Sequence, residues 1–251
     1  MDNEHFPHVN ADQELYWRDL YFFNYHINHD KMAWFQKTFD LAAVHRYDDH
    51  FTFYDADHWQ VTTTETGSSS ATEAVASSIP CGVLVVTNDD ADNDSDELHL
   101  PCGWAFQRGH PLMFEVRIKL SDVIESDFYV GFADAVLFGG AATEGFYFTK
   151  LDGSASLLFA VLTAGVETTH DTGYAMDDLV WVRLCAHYDG AGNIRAFVIA
   201  DDGTVLYAGV ITDGFTVGQT LLFGFGLRNG EAASKALFID YVKVAQKLYV
   251  G

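Results

Sequence analysis

Cysteine, proline and positive charge are all scarce in this chain. Its 251 residues include 3 Cys and 4 Pro, and 14 Lys and Arg stand against 36 Asp and Glu, which gives a formal net charge of −22. Three cysteines leave one unpaired in any scheme and show no short metal-ligand spacing, so we expect neither a disulfide framework nor a zinc site. A field this negative repels DNA and anionic lipid, so we expect no nucleic-acid partner.

The chain also lacks long apolar runs and the common catalytic motifs. No stretch approaches the roughly 20 apolar residues that cross a bilayer, so we expect no membrane partner. There is no Gly-x-Ser-x-Gly elbow and no Gly-x-x-x-x-Gly-Lys phosphate loop. No strand carries alternating carboxylates of the Glu-x-Asp-x-Glu kind, because Glu115 is alone in residues 112–120 and Asp240 is alone in residues 237–244. We predict no catalytic residues and no cofactor, with a glycan hydrolase or lyase kept as an alternative.

Aromatic residues are abundant, at 15% of the chain, and many lie within residues 1–46. Tyr16, Leu20 and Phe23 recur there at helical intervals, so we predict a short, partly helical arm. Two short helices cannot bury this many rings against each other, so the arm packs either on its own β domain or on a partner. The candidate residues for assembly or partner contact are Tyr16, Trp17, Tyr21, Phe22, Trp34 and Phe35.

The remainder, residues 47–251, has the period of two that β-strands require. Apolar and charged residues alternate without a break in residues 114–120, as expected for a strand with one buried and one wet face. Asp-Gly and Asn-Gly pairs at 152, 189, 202, 213 and 229 suit tight turns between strands. We predict an all-β sandwich with strands at 82–87, 112–120, 128–132, 146–149, 156–162, 179–184, 194–199, 204–209, 220–226 and 237–244.

An acidic stretch at residues 88–97 raises the question of calcium binding. Its carboxylates alternate in the way that could gather oxygen ligands, with Asp90, Asp92, Asp94 and Asp96 as the candidates. Counted from Asp90, however, the sixth residue is Ser95 rather than the Gly of a calcium loop, and the twelfth is Pro101 rather than Glu. The pattern therefore favours a solvated loop between strands, and we predict no bound metal.

Three aromatic residues of the β domain have two possible roles. Trp59, Trp104 and Tyr147 could form exposed platforms on which a sugar stacks. Aromatic residues within strands are more often part of the core, which is the role we favour.

Four stretches of the β domain combine strand and turn patterns: Asp49-His50-Phe51 with Trp59, Phe114–Leu120 followed by Asp127–Phe132, Arg228–Glu231, and Ile239–Val244. In these stretches the chain resembles concanavalin A-like (laminin G-like) jelly-roll proteins, particularly those encoded among the structural genes of tailed phages. The resemblance covers about residues 47–251 and not the arm.

This resemblance implies a virion structural protein of the capsid decoration or cement type, with no catalytic residues to carry over. Its expected partners are the major capsid protein and further copies of itself, with a trimer favoured. Its expected location is the capsid surface, after synthesis in the host cytoplasm. The alternative on the same fold is a carbohydrate-binding module or adhesin, tail-associated in one version.

Overall fold

The computed structural model describes residues 44–76, 82–212 and 216–247. Fifteen strands account for most of these residues, and one 3-10 turn, Ala56–His58, lies among them. The strands are β1 (Val44–Asp49), β2 (Gln60–Thr64), β3 (Thr72–Val75), β4 (Leu84–Thr87), β5 (Ser95–Phe106), β6 (Leu112–Leu120), β7 (Ser126–Ala133), β8 (Gly145–Lys150), β9 (Ser156–Thr163), β10 (Val166–Ala175), β11 (Val182–Tyr188), β12 (Ile194–Ala200), β13 (Val205–Ile211), β14 (Gln219–Asn229) and β15 (Ala236–Lys247).

The strands form two sheets. One has seven strands in the order β10-β9-β8-β7-β14-β5-β2. The other has eight strands, in the order β13-β12-β11-β6-β15-β4-β3 with β1 also paired to β15. Neighbouring strands run antiparallel wherever their residue-by-residue pairing is defined, as for β6 with β11 and β7 with β14. This confirms the predicted all-β jelly-roll sandwich.

The core lies between the inner faces of the two sheets. Phe114 on β6 is fully buried, and its ring lies 5.7 Å from that of Phe132 on β7 and 5.5 Å from that of Phe223 on β14. Val116 and Ile118 follow on the same side of β6, whereas Arg117 and Lys119 point to the outer side, as the alternation predicted. Aromatic rings therefore fill the space between the sheets, which explains why the sequence contains so many Phe residues.

Most predicted strands and turns are confirmed, and the turns at 152, 189 and 202 each join consecutive strands. At the 189 turn, Asp189 Oδ1 accepts hydrogen bonds from the backbone N–H groups of Ala191, Gly192 and Asn193. The pair at 213 lies outside the described residues. The sequence patterns did not reveal β1, β2, β3, β5 or β10. β5 begins with charged residues, and β10 is a polar edge strand.

The strand predicted at residues 179–184 was wrong at its start. Leu179 has a left-handed φ of 59°, and its N–H group bonds to the Leu120 carbonyl at 2.8 Å. Leu179 and Val180 are 54% and 46% exposed, so they lie in a turn and β11 begins only at Val182. Apolar residues in a turn imitate a buried strand in the sequence.

The arm predicted for residues 1–46 lies outside the described residues except for its last three residues, 44–46. Those three form the start of β1. Its six candidate contact residues, Tyr16, Trp17, Tyr21, Phe22, Trp34 and Phe35, all lie outside the described residues. Within the described ranges we find no helix with the length and apolarity that a bilayer crossing requires.

Candidate functional site

The outer face of the seven-stranded sheet carries a buried group of polar and aromatic side chains. On β5, Leu98 and Leu100 point into the core, so the alternation places Glu97 and His99 on the outer face. The same alternation on β7 and β8 places Tyr129 and Tyr147 there. We call Glu97, His99, Tyr129 and Tyr147 the outer cluster; each is only 2–3% exposed.

Three glycines make room for the outer cluster. On β14, Gly226 lies directly between Glu97 and Tyr129, and Gly224 lies beside His99. A Cβ atom at Gly226 would stand 2.6 Å from Tyr129 Cε1, and one at Gly224 would stand 2.4 Å from His99 Cδ2. Gly131 makes room for Tyr147 in the same way, because a Cβ atom added at Gly131 would stand 2.7 Å from the Cβ atom of Tyr147. The rings lie over bare backbone at these three positions.

A hydrogen-bonded chain joins three members of the outer cluster. Glu97 Oε2 accepts a hydrogen bond from the Tyr129 hydroxyl at 2.8 Å and another from the Leu137 N–H group at 2.7 Å. The Tyr129 oxygen lies 3.1 Å from His99 Nε2. Because Tyr129 gives its single proton to Glu97, we assign the proton of this second contact to His99 Nε2, which then donates to the tyrosine oxygen.

Burial determines the protonation states of His99 and Tyr129 in this hydrogen-bonded group. It lowers the pKa of His99 to about 4, so the imidazole is neutral at pH 7. Burial, together with the negative charge of Glu97, raises the pKa of Tyr129 well above its usual value. Tyr129 therefore stays a hydrogen-bond donor over the physiological range.

The segment between β7 and β8, residues 134–144, covers the outer cluster, and we call it the cover segment. Its Phe138 ring packs edge-on against Tyr129, with ring centres 5.1 Å apart. Asp134 closes the segment at its base, because its carboxylate accepts hydrogen bonds from the Thr143 N–H and hydroxyl groups at 2.7 and 2.6 Å. The apolar residues that complete the packing are Ala133, Ala135, Leu137, Ala142, Ala160 and Leu162.

The outer cluster has the donors and acceptors of an acid–base site, and its residues are buried. Glycosidases use two carboxyl groups roughly 5–9 Å apart across an accessible cleft. Glu97 is the one carboxylate among the four residues of the outer cluster, and two protein donors already occupy one of its oxygens. A second carboxylate, Glu167 on β10, accepts a hydrogen bond from the Tyr147 hydroxyl. Sequence reasoning missed Glu97 and His99 because a short charged stretch gave no strand signal.

The predicted solvated acidic loop is instead largely buried, which corrects that expectation. Asn88, Asp89, Asp94, Asp96 and Glu97 are each at most 2% exposed. The sequence could not show this, because the groups that satisfy the carboxylates come from a different segment, residues 66–69.

Three carboxylates of residues 88–97, the buried Asp89 and Asp94 and the exposed Asp90, anchor the connection between β2 and β3. Asp94 Oδ1 accepts from the Thr66 N–H and hydroxyl groups at 2.8 and 3.0 Å. Asp90 Oδ1 accepts from the Ser68 N–H group at 3.0 Å, and Asp89 Oδ1 from the Ser69 N–H group at 2.7 Å. Charge-assisted bonds to backbone N–H groups stabilise the ionised form, and Asp90 accordingly has a lowered pKa, mainly through Ser68.

The four calcium candidates do not converge. Asp90 and Asp94 bind backbone groups, Asp92 is exposed, and Asp96 is fully buried on the core side of β5. Burial raises the pKa of Asp96 to about 7. Among residues 44–76, 82–212 and 216–247, no group of three or more His, Cys, Asp or Glu side chains is placed to hold a metal ion.

The other residues singled out in the sequence lie in structural positions. Trp59, Trp104 and Tyr147 are 4%, 0% and 3% exposed, so none offers an open platform for a sugar. The preference for a core role is confirmed for Trp59 and Trp104, whereas Tyr147 is buried in the outer cluster. The two carboxylates considered for hydrolysis, Glu115 and Asp240, bind the Tyr241 hydroxyl and Arg117 respectively.

Comparison with known proteins shows similarity in structure only. No family model matches the chain, and no curated protein matches it. A protein of unknown function from Shewanella oneidensis MR-1, SO2946, superposes with a TM-score of 0.60 at 14% identity, covering 97% of each chain. Peanut lectin superposes with a TM-score of 0.59 at 10% identity, covering 83% of this chain and 99% of its own. A Bacteroides ovatus GH16 protein of a mixed-linkage glucan locus, in complex with its product, superposes with a TM-score of 0.58 at 13% identity, covering 79% and 99%.

Identities this low carry information about the fold and not about the activity. The described part of the chain has the concanavalin A-like jelly-roll fold that these lectins and glycosidases share.

Proposed function

We propose that this chain is a non-catalytic structural protein of a tailed-phage virion, a capsid decoration protein that binds the major capsid protein and stabilises the head. The observation that supports a non-catalytic role is the closed outer cluster. Glu97, His99 and Tyr129 are 2–3% exposed beneath the cover segment, and this burial is what supports the proposal. The assignment to a virion rests on the strand and turn patterns that resemble phage structural proteins.

The charge and the arm fit this role. A net charge of −22 keeps an abundant protein from associating without specificity. An aromatic arm at residues 1–46 would bury apolar surface on a neighbouring subunit, within a trimer or on the capsid surface. The protein would be made in the host cytoplasm and reach the capsid during assembly.

Quantitative mass spectrometry of virions purified from the source of this sequence tests the proposal. The copy number of this chain is compared with that of the major capsid protein. A ratio near one supports a decoration protein, whereas a few copies per hundred would move it to the tail. Absence from virions would overturn the proposal.

Carbohydrate binding, in a module or adhesin, is the second candidate. It is favoured by the structural match to peanut lectin and to lectin UEA-II, which was solved in complex with galactose and superposes with a TM-score of 0.56 at 11% identity. A glycan array probed with the full chain tests this candidate. Binding that survives in Glu97→Gln would place the sugar away from the outer cluster, and turnover of a bound glycan that this variant abolishes would instead indicate a hydrolase or lyase.

A further inference from the structure

One edge of the sandwich contains a buried carboxyl group that no donor satisfies. Asp96 on β5 points to the core side, as Leu98 does, and is 0% exposed. Neither of its carboxyl oxygens has a hydrogen-bond partner of normal geometry among the described residues. Burying an ionised carboxylate without donors costs free energy, so this position favours the neutral, protonated acid.

Two further carboxylates act on Asp96 from other parts of the fold. Glu73 lies on β3, where Thr72 and Ala74 are exposed and Glu73 is half-buried, so its side chain points between the sheets. Glu65 follows directly after β2 in the chain. Burial is the main cause that raises the pKa of Asp96 to about 7, and the charges of Glu73 and Glu65 add to it.

Tyr54 completes this group of side chains. Its hydroxyl is buried and has no hydrogen-bond partner in the described part of the chain. Burial raises its pKa to about 12, with the charges of Glu73 and Asp96 as further causes, so the phenol stays protonated. Thr63 lies directly opposite Asp96 in the pairing of β2 with β5 and partly offsets the effect of burial on the acid. We call Tyr54, Glu65, Glu73 and Asp96 the edge cluster.

Nothing positive balances the edge cluster. Within residues 44–76, 82–212 and 216–247, none of its carboxylates forms an ion pair with a Lys, Arg or His side chain. Two carboxyl groups that face each other away from water cannot both be ionised, so one keeps a proton and donates it to the other. Because Asp96 belongs to the seven-stranded sheet and Glu73 to the eight-stranded sheet, such a hydrogen bond joins the two sheets.

We propose that a proton shared between Asp96 and Glu73 is a pH-sensitive latch that holds β3 against the seven-stranded sheet. When the proton leaves to solvent, two like charges face each other between the sheets and push the strands apart. β3 is the strand that yields, because it has 4 residues and is the last strand of its sheet in the described chain. Asp96 lies on a strand of 12 residues with a partner on each side, β14 and β2.

The opening is confined to a short part of the chain. Residues 66–69 stay bound to the carboxylates of Asp89, Asp90 and Asp94, so the connection after β2 remains anchored while residues 70–76 are released. The latch lies on the opposite face of β5 from Glu97 and the outer cluster. It therefore goes beyond the proposed function and does not depend on it.

Hydrogen–deuterium exchange of the full chain from pH 5 to 8, corrected for the intrinsic effect of pH on exchange, tests the latch. Stabilisation by a raised pKa is complete below about pH 4 and is lost as pH rises through 7. The protection of residues 72–75 in the wild type should therefore fall by more than about tenfold over this range. In Asp96→Asn, whose side chain stays neutral, protection should not depend on pH. Glu73→Gln should behave in the same way and serves as the second variant if Asp96→Asn does not fold.

The matched control is Asp92→Asn, which removes an exposed carboxylate from the same acidic stretch. It should lose protection at residues 72–75 as the wild type does. Constant protection in the wild type would overturn the inference, and so would identical behaviour of Asp92→Asn and Asp96→Asn. Recovery of wild-type protection at pH 8 in millimolar calcium chloride would indicate a cation between the carboxylates in place of a proton, and would also overturn it.

Discussion

Tyr129 on β7 donates a hydrogen bond to Glu97 on β5 at 2.8 Å, across the bare backbone of the strand between them. Removing the hydroxyl leaves a buried carboxylate with one donor fewer. We expect Tyr129→Phe to lower the free energy of unfolding by about 1–3 kcal/mol, measured by chemical denaturation. Tyr174→Phe is the control, because its half-buried ring packs on the core and it should change stability by less than about 0.5 kcal/mol. Equal effects would contradict a special role for the Tyr129 hydroxyl.

Gly226 makes that contact possible, since a Cβ there would meet Tyr129 Cε1 at 2.6 Å and the Asp96 carbonyl oxygen at 3.1 Å. Gly226→Ala should therefore cost about 1–3 kcal/mol through overpacking, seen as a lower Tm. Gly139→Ala in the cover segment is the matched control, because its Cβ would meet only Val136 Cγ2, at 3.1 Å. A wild-type Tm for Gly226→Ala would show that the outer cluster is loosely packed.

His99 makes stability depend on pH in one direction. Its pKa is lowered to about 4 in the folded protein by burial, against about 6.5 when exposed. The unfolded chain binds the proton more readily, so this contribution to stability is complete above pH 6.5 and is lost as pH falls towards 4. The stability difference between wild type and His99→Gln should change across that window. A constant difference would mean that His99 is solvated.

Asp96 makes stability depend on pH in the direction opposite to that of His99. Burial, with Glu73 and Glu65 adding to it, raises its pKa to about 7, so the folded protein holds this proton more tightly than the unfolded chain. Its contribution is complete below about pH 4 and is lost as pH rises through 7. Because one pKa unit corresponds to about 1.4 kcal/mol, Asp96→Asn should gain a few kcal/mol on the wild type between pH 4 and 8. Denaturation of both proteins at several pH values measures this; parallel curves would contradict it.

The predicted role of the arm is tested by deleting residues 1–43, which leaves β1 intact. We expect the β domain to keep its circular dichroism spectrum and its cooperative unfolding, while self-assembly and capsid binding disappear. Analytical ultracentrifugation and co-sedimentation with capsids measure the two losses. If the deletion variant assembles normally, the arm is not part of the assembly interface.

The sequence predicts the strands of this fold where a pattern is local. Residues 114–120 alternate so regularly that the inner and outer faces of β6 follow directly. Failures occur where the deciding partner is distant in sequence. Asp94 is buried because Thr66 supplies its donors, and Leu179 lies in a turn because it bonds to Leu120.

The outer cluster escaped prediction for the same reason. Glu97 and Tyr129 are 32 residues apart, and the glycine that lets them meet lies on a third strand. The polar residues of β5 suggested a solvent-exposed stretch, because no local sequence pattern indicates that the cover segment, from another part of the chain, buries them.

The pairing of β1 with β15 brings the two ends of the described sandwich to one place. His45 stacks on Trp104 at 4.2 Å, Gln246 bonds to the backbone of the adjacent Ala105, and His50 lies beside Tyr241. The β domain therefore enters and leaves at neighbouring points, the geometry that tolerates circular permutation or insertion into a loop of a host protein. A short linker joining residues 44 and 247, with new ends opened in the exposed turn at Asp202-Gly203, should give a permuted domain that folds to the same sandwich.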